Sequence, residues 1–288
     1  MEQSGNIIYK SRGGNYGTER AWSDEKHSRR DRRKKKGGII STVILIVAIC
    51  VFAFSAFQLY KIFNGYHKGE REYDDLVKLA VTKDKGEQEN GTDDRDGSRF
   101  SVDFDALRQI NPDVVAWIRF DEPAVINYPV VQGSDNSEYL SKTFKGYDNT
   151  VGTIFVNAYN HADFNDRNTI IYGHYMYNGT MFNELEQYHE KSFWEKYPSF
   201  YIYTPDGNVA TYQIYSVGVV KDTSEGYTYQ FADDAAFASF LEATKASSLY
   251  DTGVEVGNDS QIDDVVHLYT GGKLMTERSY TVSGINVP

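Results

Sequence analysis

The chain has 288 residues, enough for one or two domains, and it is rich in Tyr (23) and Phe (16) with only 6 Pro, which suits an ordered core with many strands. Its net charge of −11 is unevenly placed: residues 1–60 carry 11 Lys and Arg against 5 Asp and Glu, the rest 19 against 36, so no basic face outside the N-terminus supports a nucleic-acid role. A single cysteine, Cys50, excludes an intramolecular disulfide and a Cys-based metal site, and it leaves the chain after residue 60 without a thiol.

Residues 1–36 are polar and close on a basic cluster, Arg29 to Lys36. They show no apolar periodicity and read as an unstructured tail. Gly37 to Tyr60 is free of charge and dominated by Ile, Val, Leu, Phe and Ala. As a helix it spans about 36 Å, more than the roughly 30 Å hydrocarbon core of a bilayer. The positive-inside rule puts 1–36 in the cytoplasm and everything after Lys61 outside. The run is long and lacks a small-residue cleavage site, which fits an uncleaved signal anchor. Cys50 is then a small apolar residue at mid-membrane.

Residues 61–99 read as a linker: a loose helical stripe over 61–83, then a charged, Gly-containing stretch over 84–99. The globular domain is expected over 100–288. Asp103 can cap a short helix, Phe104 to Ile110, ended by Asn111-Pro112. Strand-like runs follow at Val114–Phe120, at Ile126–Val131 and at Gly152–Val156. Pro129 assigns the second of these to an edge or bulge. The loop His161–Asp166 holds His and Asp at close spacing, but loops of this composition are usually solvated turns, and no metal is assigned to it.

Thr169–Tyr172 reads as a buried strand broken by Gly173, with His174 just past the break and a polar turn at 177–180. A histidine at the end of a rigid strand is placed for acid–base chemistry; the plain alternative is a solvated loop histidine. Short helices are expected over 181–188 and 192–197, and a hairpin over 200–220 around Pro205-Asp206-Gly207-Asn208. Asp233 caps a helix with Phe237, Phe240, Leu241 and Thr244 on one face. The last strands are Val265–Tyr269, with His267 read on the solvent face, and Ser279–Ile285. Many short strands with few helices predict a mainly β fold, a closed or nearly closed barrel.

Over residues 100–285 the chain resembles the class B sortases, membrane-anchored cysteine transpeptidases of Gram-positive bacteria. The resemblance is carried by Phe104–Ile118, Ile126–Gln132, Gly152–Phe155, and Tyr172-Gly173-His174 followed by Met181-Phe182. The helix over 233–247 is similar to the insertion that sets class B apart. It implies a closed sortase-type β-barrel with short helices and that helical insertion, behind one transmembrane helix. It also implies a reaction. In the family a cysteine thiolate attacks a sorting-signal peptide of a secreted surface protein and forms a thioacyl enzyme. An amine from a peptidoglycan crossbridge or a pilin lysine then resolves it. By the resemblance His174 is the acid–base residue and Arg278 the arginine that stabilises the tetrahedral intermediate; no cofactor is implied.

The family cysteine ends the penultimate strand. Here that segment reads Val265-Val-His-Leu-Tyr-Thr-Gly-Gly272. Spacing to Arg278 puts the slot on Tyr269; matching Thr270 to the residue before the cysteine puts it on Gly271. A phenol of ordinary pKa near 10 is a poor acyl-transfer nucleophile, and Thr270 would need a dedicated general base. The residues therefore imply lost transpeptidation, and two readings stand: a class B sortase by descent, or a catalytically silent surface binding or scaffold protein on the same fold.

Overall fold

The computed structural model describes residues 17–83, 100–220, 227–256, 262–271 and 279–287. The first 16 residues, the charged stretch 84–99 and Arg278 lie outside the described residues. Helix α1 runs from Gly17 to Ala80. Residues 17–36, read above as an unstructured tail, are thus helical. Ala, Glu, Lys and Arg are strong helix formers, and a long apolar helix beyond them supplies the nucleus that such a segment lacks alone. The chain divides into two compact units, Met1–Lys61 and Ile62–Pro288. In the first, α1 is apolar enough to cross a membrane, with a mean hydropathy of 2.7 over its best window. Its large side chains, such as Ile44 and Phe52, are exposed.

In the second unit the remaining turns of α1 are not a linker. Tyr73, Leu76 and Ala80 belong to the main hydrophobic core. Each large apolar side chain buried this way contributes roughly 1.5–3 kcal/mol. This revises the reading of 61–99 for its helical part, where the loose apolar stripe is a packing face. Strand β1 (Val81–Lys83) pairs antiparallel with β2 (Phe100–Val102). Helix α2 (Phe104–Ile110) follows, capped as expected by the Asp103 carboxylate, which accepts from Ala106 N at 2.9 Å.

Eight strands close a barrel. In chain order they are β3 (Val114–Phe120), β4 (Asn127–Val131), β5 (Ile154–Val156), β6 (Asn168–His174), β7 (Ser199–Tyr203), β8 (Val209–Val220), β9 (Val265–Gly271) and β10 (Ser279–Val287). Around the barrel the order is β10-β8-β7-β3-β4-β5-β6-β9. Pro129 therefore sits in an interior strand rather than at an edge. The barrel tolerates it because β5 pairs with β4 only at Val130 and Val131, so nothing on that side asks Pro129 for an N–H. The expected hairpin is β7–β8.

Short helices decorate the barrel: two 3₁₀ turns at Glu138–Leu140 and Asn183–His189, then α3 (Lys191–Lys196) and α4 (Asp234–Ala246). Trp117, Ile118, Phe120 and Phe200 fill the interior. A smaller cluster outside the barrel wall packs Phe237, Phe240 and Leu241 of α4 against Tyr215, Val265 and Ile285. Its presence explains why the outer face of β9 is not a solvent face.

Candidate functional site

Strands β6 and β9 run parallel and end together. Their register pairs Tyr172 with Tyr269, Gly173 with Thr270 and His174 with Gly271. Side chains alternate along each strand. Ile171 faces the barrel core with Val266 and Leu268. Tyr172 and His174 therefore share the outer face with His267 and Tyr269.

Gly173 does not break β6, as the sequence suggested; the strand continues through His174. Glycine is needed there for space. A Cβ at Gly173 would lie 2.5 Å from Phe182 Cδ2 and 2.6 Å from Ile154 Cδ1. After His174 the chain turns sharply and Tyr175 bridges back to Met181. The turn is closed by Gly179, φ +79°, whose N–H donates to Met176 O at 3.0 Å. Met181 itself holds φ +57°, with its N–H donating to the buried Tyr128 hydroxyl at 3.1 Å.

The His174 imidazole is held from behind. Its Nε2 lies 2.6 Å from the carbonyl oxygen of Leu140. A carbonyl only accepts, so Nε2 carries the proton of this bond. Gly152, at φ +63°, forms the wall beside the ring; a Cβ there would meet His174 Cδ2 and Tyr139 O, each at 2.8 Å. The Leu140 carbonyl is in turn fixed by its neighbour. The Tyr139 hydroxyl donates to Asp113 Oδ2 at 2.7 Å and accepts from Asn111 Nδ2 at 3.0 Å. Burial, with the Asp113 carboxylate beside it, holds the Tyr139 phenol well above its usual range.

Tyr269 is buried, 1% exposed, in an aromatic stack. Its ring lies 4.3 Å from Tyr227 and 6.1 Å from Tyr172. His267, expected on the solvent face, is 1% exposed. It lies under Phe240 of α4 at 5.4 Å, and its Nδ1 is 2.8 Å from Asn168 Oδ1. Its Nε2 has no hydrogen-bond partner among the described residues. Burial pushes its pKa down to about 3, so the ring is neutral. The signal that could have placed it was the apolar face of α4, which needs a sheet surface to cover.

The structure thus brings His174 and Gly271 together at one strand end, with Tyr269 two residues back in the wall; Arg278 lies outside the described residues. Sequence reasoning missed Leu140, Gly152 and Tyr139, which shape the histidine's surroundings. The loop His161–Asp166 is closed by its own contact, His161 Nδ1 to Asp166 Oδ1 at 2.7 Å, which raises the His161 pKa. Among the described residues no three His, Cys, Asp or Glu side chains gather to hold a metal ion.

The comparisons with known proteins agree with this geometry. The family model described as Sortase domain matches residues 121–278. Sortase B of Staphylococcus aureus (strain NCTC 8325 / PS 47) is 30% identical over 229 residues, 78% of this chain and 86% of that protein. The crystal structure of sortase B from B. anthracis in complex with AAEK1 is similar with a TM-score of 0.65 at 29% identity, covering 79% of this chain and 100% of that one. The Staphylococcus aureus sortase B-substrate complex gives 0.59 at 29% identity, over 64% and 84%.

Proposed function

The chain belongs to the sortase family, whose class B members are transpeptidases of surface proteins, and we propose that it is a class B sortase-type protein that grips sorting-signal peptides beside His174 without completing thioacyl transfer. One observation carries this reading. The β6–β9 register sets Gly271 opposite His174, and the chain's single cysteine, Cys50, lies in the apolar stretch of α1. The nucleophile slot is then Gly271, not Tyr269, whose ring is already committed to the stack with Tyr227. The solved sortase B–substrate complex supports a peptide as ligand. In this reading His174 and Arg278 flank the bound peptide, and the amine of a crossbridge or a pilin lysine has no thioacyl intermediate to attack. No cofactor takes part.

The same reading assigns 1–36 to a cytoplasmic basic flank, 37–60 to a single transmembrane anchor, and 100–288 to an extracellular barrel. The helical turns over 62–80 join the barrel as a packed element. The basic cluster at 29–36 supports this orientation.

The test uses the full chain in detergent micelles with a panel of sorting-motif peptides, measuring binding and cleavage for the parent, Gly271→Cys and Tyr269→Cys. The expected result is binding without cleavage by the parent and cleavage gained by Gly271→Cys alone. Cleavage by the parent that His174→Ala abolishes would overturn the reading and send the search to the hydroxyls near Thr270.

A further inference from the structure

We propose that Tyr73, on the helical turns that precede the barrel, is a positioning residue for His174, acting through the Gly152–Thr153 peptide. This rests on the reading of His174 as the histidine of the site, and its test needs no catalysis. The Tyr73 hydroxyl donates to Gly152 O at 2.5 Å and lies 3.1 Å from Thr153 Oγ1. The N–H of that same peptide unit, Thr153 N, donates to Tyr139 O at 3.0 Å. The next carbonyl along, Leu140 O, accepts from His174 Nε2 at 2.6 Å. A peptide unit is planar, so holding its C=O fixes the direction of its N–H. A donor on the carbonyl also polarises the unit and strengthens the N–H bond. The phenol thus sets the orientation of the peptide that anchors the turn presenting Leu140 O.

Further contacts from the same helix grip the same loop. Glu72 Oε1 accepts from Lys145 N at 2.8 Å, and Asn149 Nδ2 donates to Gly65 O at 3.0 Å. Gly69 packs so closely on Val151 that a Cβ would meet Val151 Cγ2 at 2.9 Å. The Tyr73 ring also stands edge-on to Tyr128 at 5.3 Å, and the Tyr128 hydroxyl accepts from Met181 N in the turn after His174. Both flanks of the histidine therefore lead back to one side chain. Burial alone would be served by a phenylalanine; the hydroxyl is what reaches Gly152.

The test is ring-nitrogen NMR on the full chain in detergent micelles, labelled with ¹⁵N-histidine and assigned with His174→Gln. In the parent, the His174 Nε2–H held by Leu140 O should be directly visible and slow to exchange with water. Tyr73→Phe keeps the ring and removes the hydroxyl. It should speed that exchange at least tenfold while the barrel stays folded. Tyr201→Phe, which loses a hydroxyl contact of 3.1 Å to Asp121, serves as a control and should leave the signal unmoved. If Tyr73→Phe does not fold, Thr153→Val, which removes the hydroxyl donating to Lys142 O at 2.8 Å in the same loop, reads the same exchange and should speed it as well. An unchanged His174 signal in a folded Tyr73→Phe variant, or in Thr153→Val where that variant replaces it, would overturn the proposal. So would an equal change in Tyr201→Phe. Loss of peptide binding by the parent would sink the functional reading and leave this outcome standing.

Discussion

His267 makes the stability of the barrel depend on pH in a calculable way. The ring is neutral under α4, with its pKa lowered by burial from 6.5 to about 3. Between those values the unfolded chain binds a proton that the folded chain refuses. Stability therefore falls as pH falls below about 6.5, at about 1.4 kcal/mol per pH unit. From pH 7.5 to pH 5 the loss is about 2 kcal/mol, and it stops growing only near the folded value. Carboxylates confuse the lower part of this window, and Asp264, whose pKa is raised by burial, titrates there too. His161 acts in the opposite sense, because its raised pKa favours the folded state as pH falls. Comparison with His267→Phe cancels both. The variant should cost about 1–2 kcal/mol at pH 7.5 for the lost bond to Asn168. It should also remove about 2 kcal/mol of the loss between pH 7.5 and pH 5, so that the two proteins converge in acid. Urea unfolding at several pH values measures this directly. Parallel stability curves for the two proteins would refute the argument, since a ring that titrates alike in both states contributes no slope.

Gly152→Ala should cost about 1–2 kcal/mol for a side chain at φ +63° and should weaken peptide binding as well, because the new methyl pushes on the His174 ring. Unfolding and peptide titration read the two effects, and unaltered binding would show that the wall does not place the ring. Asp103→Ala should cost about 1 kcal/mol through loss of the α2 cap without altering peptide binding. Equal stability of variant and parent would show that Ala106 N finds another partner.

The strands were legible because their signals are local. Val114–Phe120 reads as an apolar run and appears unchanged as β3, and Asp103 declares its helix by capping chemistry. The misreadings share a cause: each depended on a partner far along the chain. The face of the helical turns over 62–80 is set by Val151 and Gly152, some eighty residues later. His267 looks polar and outward until α4 is known to cover it. Gly173 resembles a strand breaker until Phe182 and Ile154 are seen to occupy the space of its side chain. The site was legible in its histidine, which a strand end advertises. Its wall was not, because two of its polar contacts, from Leu140 and Tyr139, are backbone carbonyls that no residue type announces.

The two candidate slots for a nucleophile are also separable on stability alone. At Tyr269 a cysteine would delete a ring stacked 4.3 Å from Tyr227 and leave a void where packing is dense. Large-to-small changes of this kind cost about 3–5 kcal/mol. At Gly271 the parallel pairing to His174 is made by backbone atoms, which a change of side chain leaves in place. Gly152, Gly173, Tyr139 and Tyr73 fix the histidine's surroundings by packing and backbone hydrogen bonds, and none of these contacts includes residue 271. The barrel is thus indifferent to what stands at that strand end. A chain that has glycine there keeps the architecture of a peptide site while giving up the chemistry, and that independence is why a single Gly271→Cys substitution is expected to restore cleavage without a second repair.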